Sequence, residues 1–177
     1  MYFTHFPKIQ YDIDNSKNYK LVTDILRRVK IRNAIRDNIS LFDKYDVVSG
    51  DTPESVSYKI YNTTEYYYTI LLINNITDRY YGWPLSDQAF EEYVKQKYTD
   101  PSATHHYEIV QSSGATTGNG PEDYDHYIEV NSTEPGAQSV SNYEYERRLQ
   151  DQKRQIRLLK PVYLSNFVKE FKSKILK

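Results

Sequence analysis

The chain has 177 residues, 38% hydrophobic and 15% aromatic, with a mean hydropathy of −0.78, which leaves room for one modest domain with appendages or a small module with arms. It contains no cysteine, which excludes a disulfide framework and a thiolate metal centre, and its longest apolar run, Ile70 to Ile73, falls far short of the ~20 residues a membrane-spanning helix needs. The net charge of −1 hides a segregation, +4 over residues 1–42, −12 over 43–145 and +7 over 146–177, and the acidic middle opposes binding to a nucleic-acid backbone.

The opening MYFTHFPKIQYDIDN lacks the basic start and apolar core of a secretory signal. The chain is therefore expected to be soluble, and to work where it is made or leave only as part of something larger. Phe3, Phe6 and Tyr11, with Pro7 preventing a continuous helix, predict an extended arm whose rings need something to pack on. Residues 17–42 are ambiguous. Val22, Ile25, Leu26 and Val29 fit a helical stripe, whereas Val29 and Ile31 between Arg28, Lys30 and Arg32 fit a strand. Ile39 and Leu41 read as extended. Residues 1–44 together form a basic N-terminal arm.

Residues 45–76 organise the chain. Tyr45 and Val47 alternate with Asp46 and Val48, as in a half-buried strand. Ser49-Gly50-Asp51 is turn chemistry: Gly50 can take a positive φ, and Asp51 or Thr52 can cap the next helix. Pro53 suits the first helical position and Glu54 the positive end of the helix dipole. Val56, Ile60 and Tyr61 make one apolar stripe, and Asn62-Thr63-Thr64 breaks the helix. Thr64 and Glu65 then open a second helix carrying Tyr68, Leu71 and Leu72 on one face.

Taken in order, Tyr45-x-Val47, Gly50-Asp51-Thr52, Val56 with Ile60, and Ile73-Asn74 resemble a LysM module, the small βααβ fold known for binding N-acetylglucosamine polymers. The Gly-x-x-Leu-x-Ile-Pro closing strand of that family is absent, and Asp78-Arg79-Tyr80-Tyr81-Gly82-Trp83-Pro84 stands in its place.

Gly82 and Pro84 mark a turn, Ser86 is a good N-cap, and Phe90, Tyr93 and Val94 form the face of a following helix, so the LysM-like block with this helix spans residues 45–98. Trp83, the sole tryptophan, reads as a core plug between this helix and the block, with a sugar-stacking platform as the alternative. HHYEIVQSS (105–113) and DHYIEVNS (125–132) alternate strongly around the turn-forming GATTGNGPED. They predict a β-hairpin with a long mobile tip, or an edge ribbon that pairs with a partner's sheet, inside an acidic region, 99–145. Residues 132–139 read as a loop. The basic segment 146–177 continues a polar helix that begins near Asn142, and Ile156 and Leu158 then mark a short strand. Val162-Tyr163-Leu164 read as extended, and Ser165 as the cap of a last helix with Phe167, Val168, Phe171 and Ile175 on one face. The predicted class is α+β.

Enzyme signatures are missing. There is no Gly-rich phosphate loop with its lysine, no cysteine nucleophile and no G-x-S-x-G elbow. His105 and His106, with Asp125 and His126 across the hairpin, are the best metal candidates, but neighbours on a strand point to opposite faces, so no metal site and no cofactor are expected. Glu91-Glu92 and Glu122-Asp123 read as solvated charge.

Asp24-Ile25, Gly50 with Pro53-Glu54, Ile60-Tyr61, Leu71 to Asn74, the Asp78-x-Tyr80-Tyr81-Gly82-Trp83 element and Arg154-Gln155-Ile156 before a final helix resemble the small LysM-like wedge protein of the baseplate in T-even-type contractile-tailed bacteriophages. The resemblance covers most of the chain, most thinly over 99–140. It implies a structural, non-catalytic subunit of the virion tail baseplate, assembled in the host cytoplasm, that joins wedge subunits to each other and around the central hub in several copies with six-fold symmetry. Other wedge and hub proteins are the implied partners, with no nucleic acid, membrane or small-molecule substrate. Nineteen tyrosines suit such interfaces, because each buries a ring and keeps a hydroxyl for water or a partner. The expected structural or interface residues are Tyr45, Gly50, Asp51, Ile60, Tyr66, Tyr67, Asn74, Tyr80, Tyr81 and Trp83. The alternative is a peptidoglycan- or chitin-binding LysM protein. In isolation the arms are expected to be marginal, with the termini and residues 112–124 exchanging amide protons fast.

Overall fold

The computed structural model describes residues 2–110 and 127–176. The chain is mixed α and β. In order, the elements are β1 (Lys8–Tyr11), β2 (Lys20–Thr23), α1 (Asn33–Arg36), β3 (Phe42–Asp46), α2 (Pro53–Tyr61), α3 (Tyr67–Ile73), α4 (Arg79–Gly82), α5 (Asp87–Lys97), β4 (Thr104–Val110), β5 (Tyr127–Val130), β6 (Gln138–Ser141), α6 (Asn142–Arg154), β7 (Gln155–Leu159) and α7 (Pro161–Ile175). Single 3-10 turns occupy Tyr2–His5 and Ile39–Leu41. Two compact units divide the chain: residues 1–84 with 153–177, and residues 85–152.

In the first unit β3 pairs antiparallel with β7, from Phe42 opposite Leu159 to Asp46 opposite Gln155. The strand partner that the module lacks locally therefore arrives from the far end of the chain. Val47, Val56, Ile70, Trp83, Ile156 and Leu158 form one buried cluster, so α2 and α3 pack on the β3–β7 ribbon. Each such side chain contributes about 1.5–3 kcal/mol by leaving water. Thr52 caps α2 in a reciprocal box with Ser55, Pro53 stands at the first helical position, and Asn62 ends the helix at φ 56°. Buried Ser57 and Thr69 fasten the α2–α3 connection, donating to the carbonyls of Thr63 and Tyr66, each at 2.7 Å. The second helix begins at Tyr67, not at Thr64: Thr63 Oγ1 accepts from the Glu65 N–H and holds residues 63–66 in turns.

The N-terminal residues do not remain an extended arm. Phe6 is buried with Tyr68, Phe171 and Ile175, and β1 pairs antiparallel with β2. Between β2 and α1 the ambiguous segment 24–32 is irregular. Ile39 and Leu41, expected to be extended, lie in a 3-10 turn, because Asn38 Oδ1 accepts from the Ser40 N–H and closes the chain locally. The last helix starts at Pro161 instead of Ser165, with the proline ring preset for the first turn. Val162 to Leu164 are thus helical, and Val168, Phe171 and Ile175 are the buried face.

In the second unit Ser86 caps α5, whose Phe90 and Val94 are buried. β4 pairs with β5 as the alternation predicts, and the expected mobile tip lies outside the described residues. The loop read at 132–139 ends in β6, which pairs with the other edge of β4 to give the order β5-β4-β6. Gln138-Ser139-Val140-Ser141 carries one apolar residue, too few to announce a strand. Polar α6 buries Glu146 and Gln150. Glu146 Oε1 accepts from Lys97 Nζ at 2.6 Å and from the Tyr98 hydroxyl at 2.8 Å, and the Leu85 N–H donates to Gln150 Oε1 at 3.1 Å. Arg148 donates twice, at 2.9 and 2.8 Å, to buried Glu108.

Candidate functional site

Eight of the ten residues singled out in the sequence fall into three groups, with Ile60 and Asn74 outside them, and all ten lie in the first unit. Tyr45, Gly50, Asp51 and Trp83 gather at one end of α2. Gly50 has φ +86°, with open space where a Cβ would stand, so the turn requires its backbone freedom alone. The Asp51 carboxylate accepts from Lys59 Nζ at 2.7 and 2.9 Å, from the Tyr45 hydroxyl at 3.1 Å and from Ser55 Oγ at 3.3 Å. Burial alone would push this carboxyl up, but the bonds from Lys59 and Tyr45 outweigh it and hold the group below the usual aspartate range. Burial, and then the Asp51 carboxylate, raise the Tyr45 phenol. The Asp51 main-chain carbonyl accepts from Trp83 Nε1 at 2.7 Å. Ile60 packs against the same core from a half-buried position. At the other end of the module, Asn74 Nδ2 donates to the Arg157 carbonyl and Asn74 Oδ1 accepts from the Arg157 N–H.

Tyr66 and Tyr67 are half-buried beside the cluster of Phe6, Tyr68 and Phe171. Tyr68 was not among the ten, yet it lies at the centre of that cluster. Its hydroxyl is buried with no partner among the described residues, and burial pushes its phenol up to about 12.

Tyr80 and Tyr81 form the third group. They are 85% and 79% exposed on α4, whose start Asp78 caps by accepting from both of their N–H groups. Two exposed rings side by side on a fixed turn are suited to contact. Gly82 ends this turn because a Cβ there would meet Ile76 Cγ2 at 2.8 Å. The Arg79 guanidinium anchors the turn by pairing with both Glu54 oxygens, at 2.7 and 2.8 Å. A groove of ≈ 640 Å³ opens between segment 25–30 and α3.

The two histidines of β4 do not diverge as strand geometry predicts. An irregularity between Thr104 and His106 brings their Nδ1 atoms to 2.9 Å, and the His105 ring stacks on Tyr145 at 3.9 Å. Asp125 and His126 lie outside the described residues, and among the described residues no three metal-ligating side chains converge. No helix among the described residues is long and apolar enough to cross a membrane.

Comparison with known proteins places the sequence in a family. Residues 1–116, about two-thirds of the chain, match the Base plate wedge protein 53 family. The chain belongs to that family. Within this wedge-protein family, the Baseplate wedge protein gp53 of Enterobacteria phage T4 is 31% identical over 103 residues, which cover 55% of this chain and 52% of that protein. The chain thus spans about half the length of the curated relative it matches. The family match takes in β3, α2, α3 and the exposed tyrosines of α4, and ends before β7.

Proposed function

We propose that this wedge-family chain is a non-catalytic structural subunit of a phage tail baseplate, joining wedge subunits to one another and around the central hub through protein–protein contacts. The observation that carries this reading is the family match over residues 1–116. Exposed Tyr80 and Tyr81 on a capped, ion-paired turn support it, since aromatic rings fixed on a rigid element are good interface anchors. In this account β3, α2, α3 and β7 form a LysM-like block whose closing strand is borrowed from the C-terminal segment. Tyr45, Gly50, Asp51, Ile60, Asn74 and Trp83 keep that block rigid. Tyr66 and Tyr67 border its second core, and Tyr80 and Tyr81 face partners. Several copies, one set per wedge of a six-fold ring, act in the virion after assembly in the host cytoplasm.

Reconstitution tests this directly. Purified wedge components mixed with and without the chain are followed by sedimentation velocity and negative-stain microscopy. Closure of wedges into six-membered rings should require the chain, and rings that close equally well without it would refute the reading. The comparisons lend no support to the peptidoglycan- or chitin-binding alternative, for which retention on insoluble peptidoglycan is the assay.

A further inference from the structure

The groove between segment 25–30 and α3 has a composition that the scaffold itself does not require. Phe3, Ile25, Leu26, Leu71, Leu72 and Ile76 supply its apolar walls, and none of the described residues lining it is acidic. Leu26 is 89% and Ile25 66% exposed, which leaves two large aliphatic side chains in water at no benefit to the isolated fold. Arg27, Arg28, Lys30 and Arg79 line the same groove. Asp24 neutralises Arg27 at 2.8 Å and Glu54 neutralises Arg79. Among the described residues Arg28 bonds to Asn75 Oδ1 at 3.3 Å, and neither it nor Lys30 has a carboxylate partner. The groove therefore combines an open apolar floor with a surplus of positive charge at its rim. Its volume lies in the range of about 300–1,000 Å³ that holds a well-formed ligand or several large side chains.

We propose that this groove is a docking site for an acidic segment of another wedge subunit, one that sets apolar side chains between Leu26 and Leu72 and aligns carboxylates with Arg28 and Lys30. This rests on the baseplate reading above and adds the surface and the chemistry of the partner. The apolar contacts supply affinity, and the two unneutralised cations select an acidic partner and hasten its encounter. A basic segment is rejected by the same charges. Leu26 is 89% exposed, so its replacement is expected to act on binding and to leave folding intact.

The test places a photo-crosslinking amino acid at Leu26 of the full chain, assembles it into wedges, irradiates, and identifies the attached peptide by mass spectrometry. The expected product joins residue 26 to an Asp/Glu-rich, leucine- or aromatic-bearing segment of a different wedge subunit. In parallel, Leu26→Glu should reduce recovery of the chain with wedges by about tenfold or more, as for a buried anchor. The pair Arg28→Glu with Lys30→Glu should reduce it by a comparable factor and abolish the loss of binding caused by added salt. Circular dichroism of each variant should match the parent. The proposal is overturned by crosslinks confined to this chain or to a second copy of it, by attachment to a basic or uncharged segment, or by no crosslink although the chain is present in the wedge. A chain absent from wedges altogether overturns the baseplate reading, and this docking site with it.

Discussion

Asn74 and Arg157 form a closed ring of two hydrogen bonds: the Asn74 amide donates to the Arg157 carbonyl at 2.9 Å, and the Arg157 N–H donates back to Asn74 Oδ1 at 2.8 Å. The side chain behaves as a short piece of strand and ties the end of α3 to β7 across 83 positions of sequence. Each bond contributes about 0.5–1.5 kcal/mol net. Asn74→Ala should therefore lower the stability of the first unit by about 1–2 kcal/mol, read as a lower midpoint in chemical denaturation with an unchanged slope. Asn74→Asp should also destabilise, because it keeps the acceptor but sets a carboxylate against the Arg157 carbonyl. A variant as stable as the parent would show that β7 is held by its ladder alone.

Trp83 couples burial to a specific donor. Its ring fills the cluster with Val47, Val56 and Ile70 while Nε1–H reaches the Asp51 carbonyl at 2.7 Å. Trp83→Phe keeps an aromatic ring but removes the donor and leaves a small void. A loss of about 1–3 kcal/mol follows, measured by circular dichroism on denaturation.

The Tyr68 hydroxyl is buried without a partner among the described residues. Such a group costs about 1–3 kcal/mol relative to a hydrogen-bonded one. Tyr68→Phe keeps the ring contacts with Phe171 and Tyr2 and removes the orphaned hydroxyl. The variant should be as stable as the parent or more stable by about 1 kcal/mol, read as a raised thermal midpoint. A marked loss of stability would mean that the hydroxyl is satisfied.

Glu146 sets a pH dependence in the second unit. Burial would raise its carboxyl, but the hydrogen bonds from Lys97 and Tyr98 outweigh it and hold the group below its ordinary value of 4.5. A depressed carboxylate contributes its full stability above the unfolded value and loses it as pH falls through the folded value. Stability should thus be flat with respect to this group from neutrality down to about that ordinary value, then decline with further acidification. Glu146→Gln should be less stable at neutral pH by about 1–2 kcal/mol, a modest figure because Lys97 keeps access to water, and should lose that part of the acid decline. Denaturation curves of parent and variant across this range make the comparison.

Elements that announce themselves locally were legible in the sequence. Thr52-Pro53-Glu54 marks the start of α2, Ser86 the start of α5, and the alternation through Tyr107, Ile109, Ile128 and Val130 marks the β4–β5 pairing. Pairing between distant segments was not legible. Ile156 and Leu158 read as a strand, but nothing local says that Tyr45 would face Ile156, 111 positions away. The β1–β2 hairpin stayed hidden because β1 is exposed along its whole length and leaves no one-sided apolar pattern. Among the candidate interface residues, the turn from Asp78 to Trp83 was legible as a motif, but the exposure of Tyr80 and Tyr81 and the burial of Trp83 were not, because they depend on how the turn packs on the rest of the unit. The approach of His105 to His106 depends on a strand irregularity that no residue type signals.

Cryo-electron microscopy of a phage tail assembled in the presence of the chain tests the central claim most directly. The account predicts density for the β3–α2–α3–β7 unit in every wedge of the baseplate, with Tyr80 and Tyr81 buried against a neighbouring subunit. A complete baseplate reconstruction with no density for this chain, or with both tyrosines facing solvent in every copy, would contradict it.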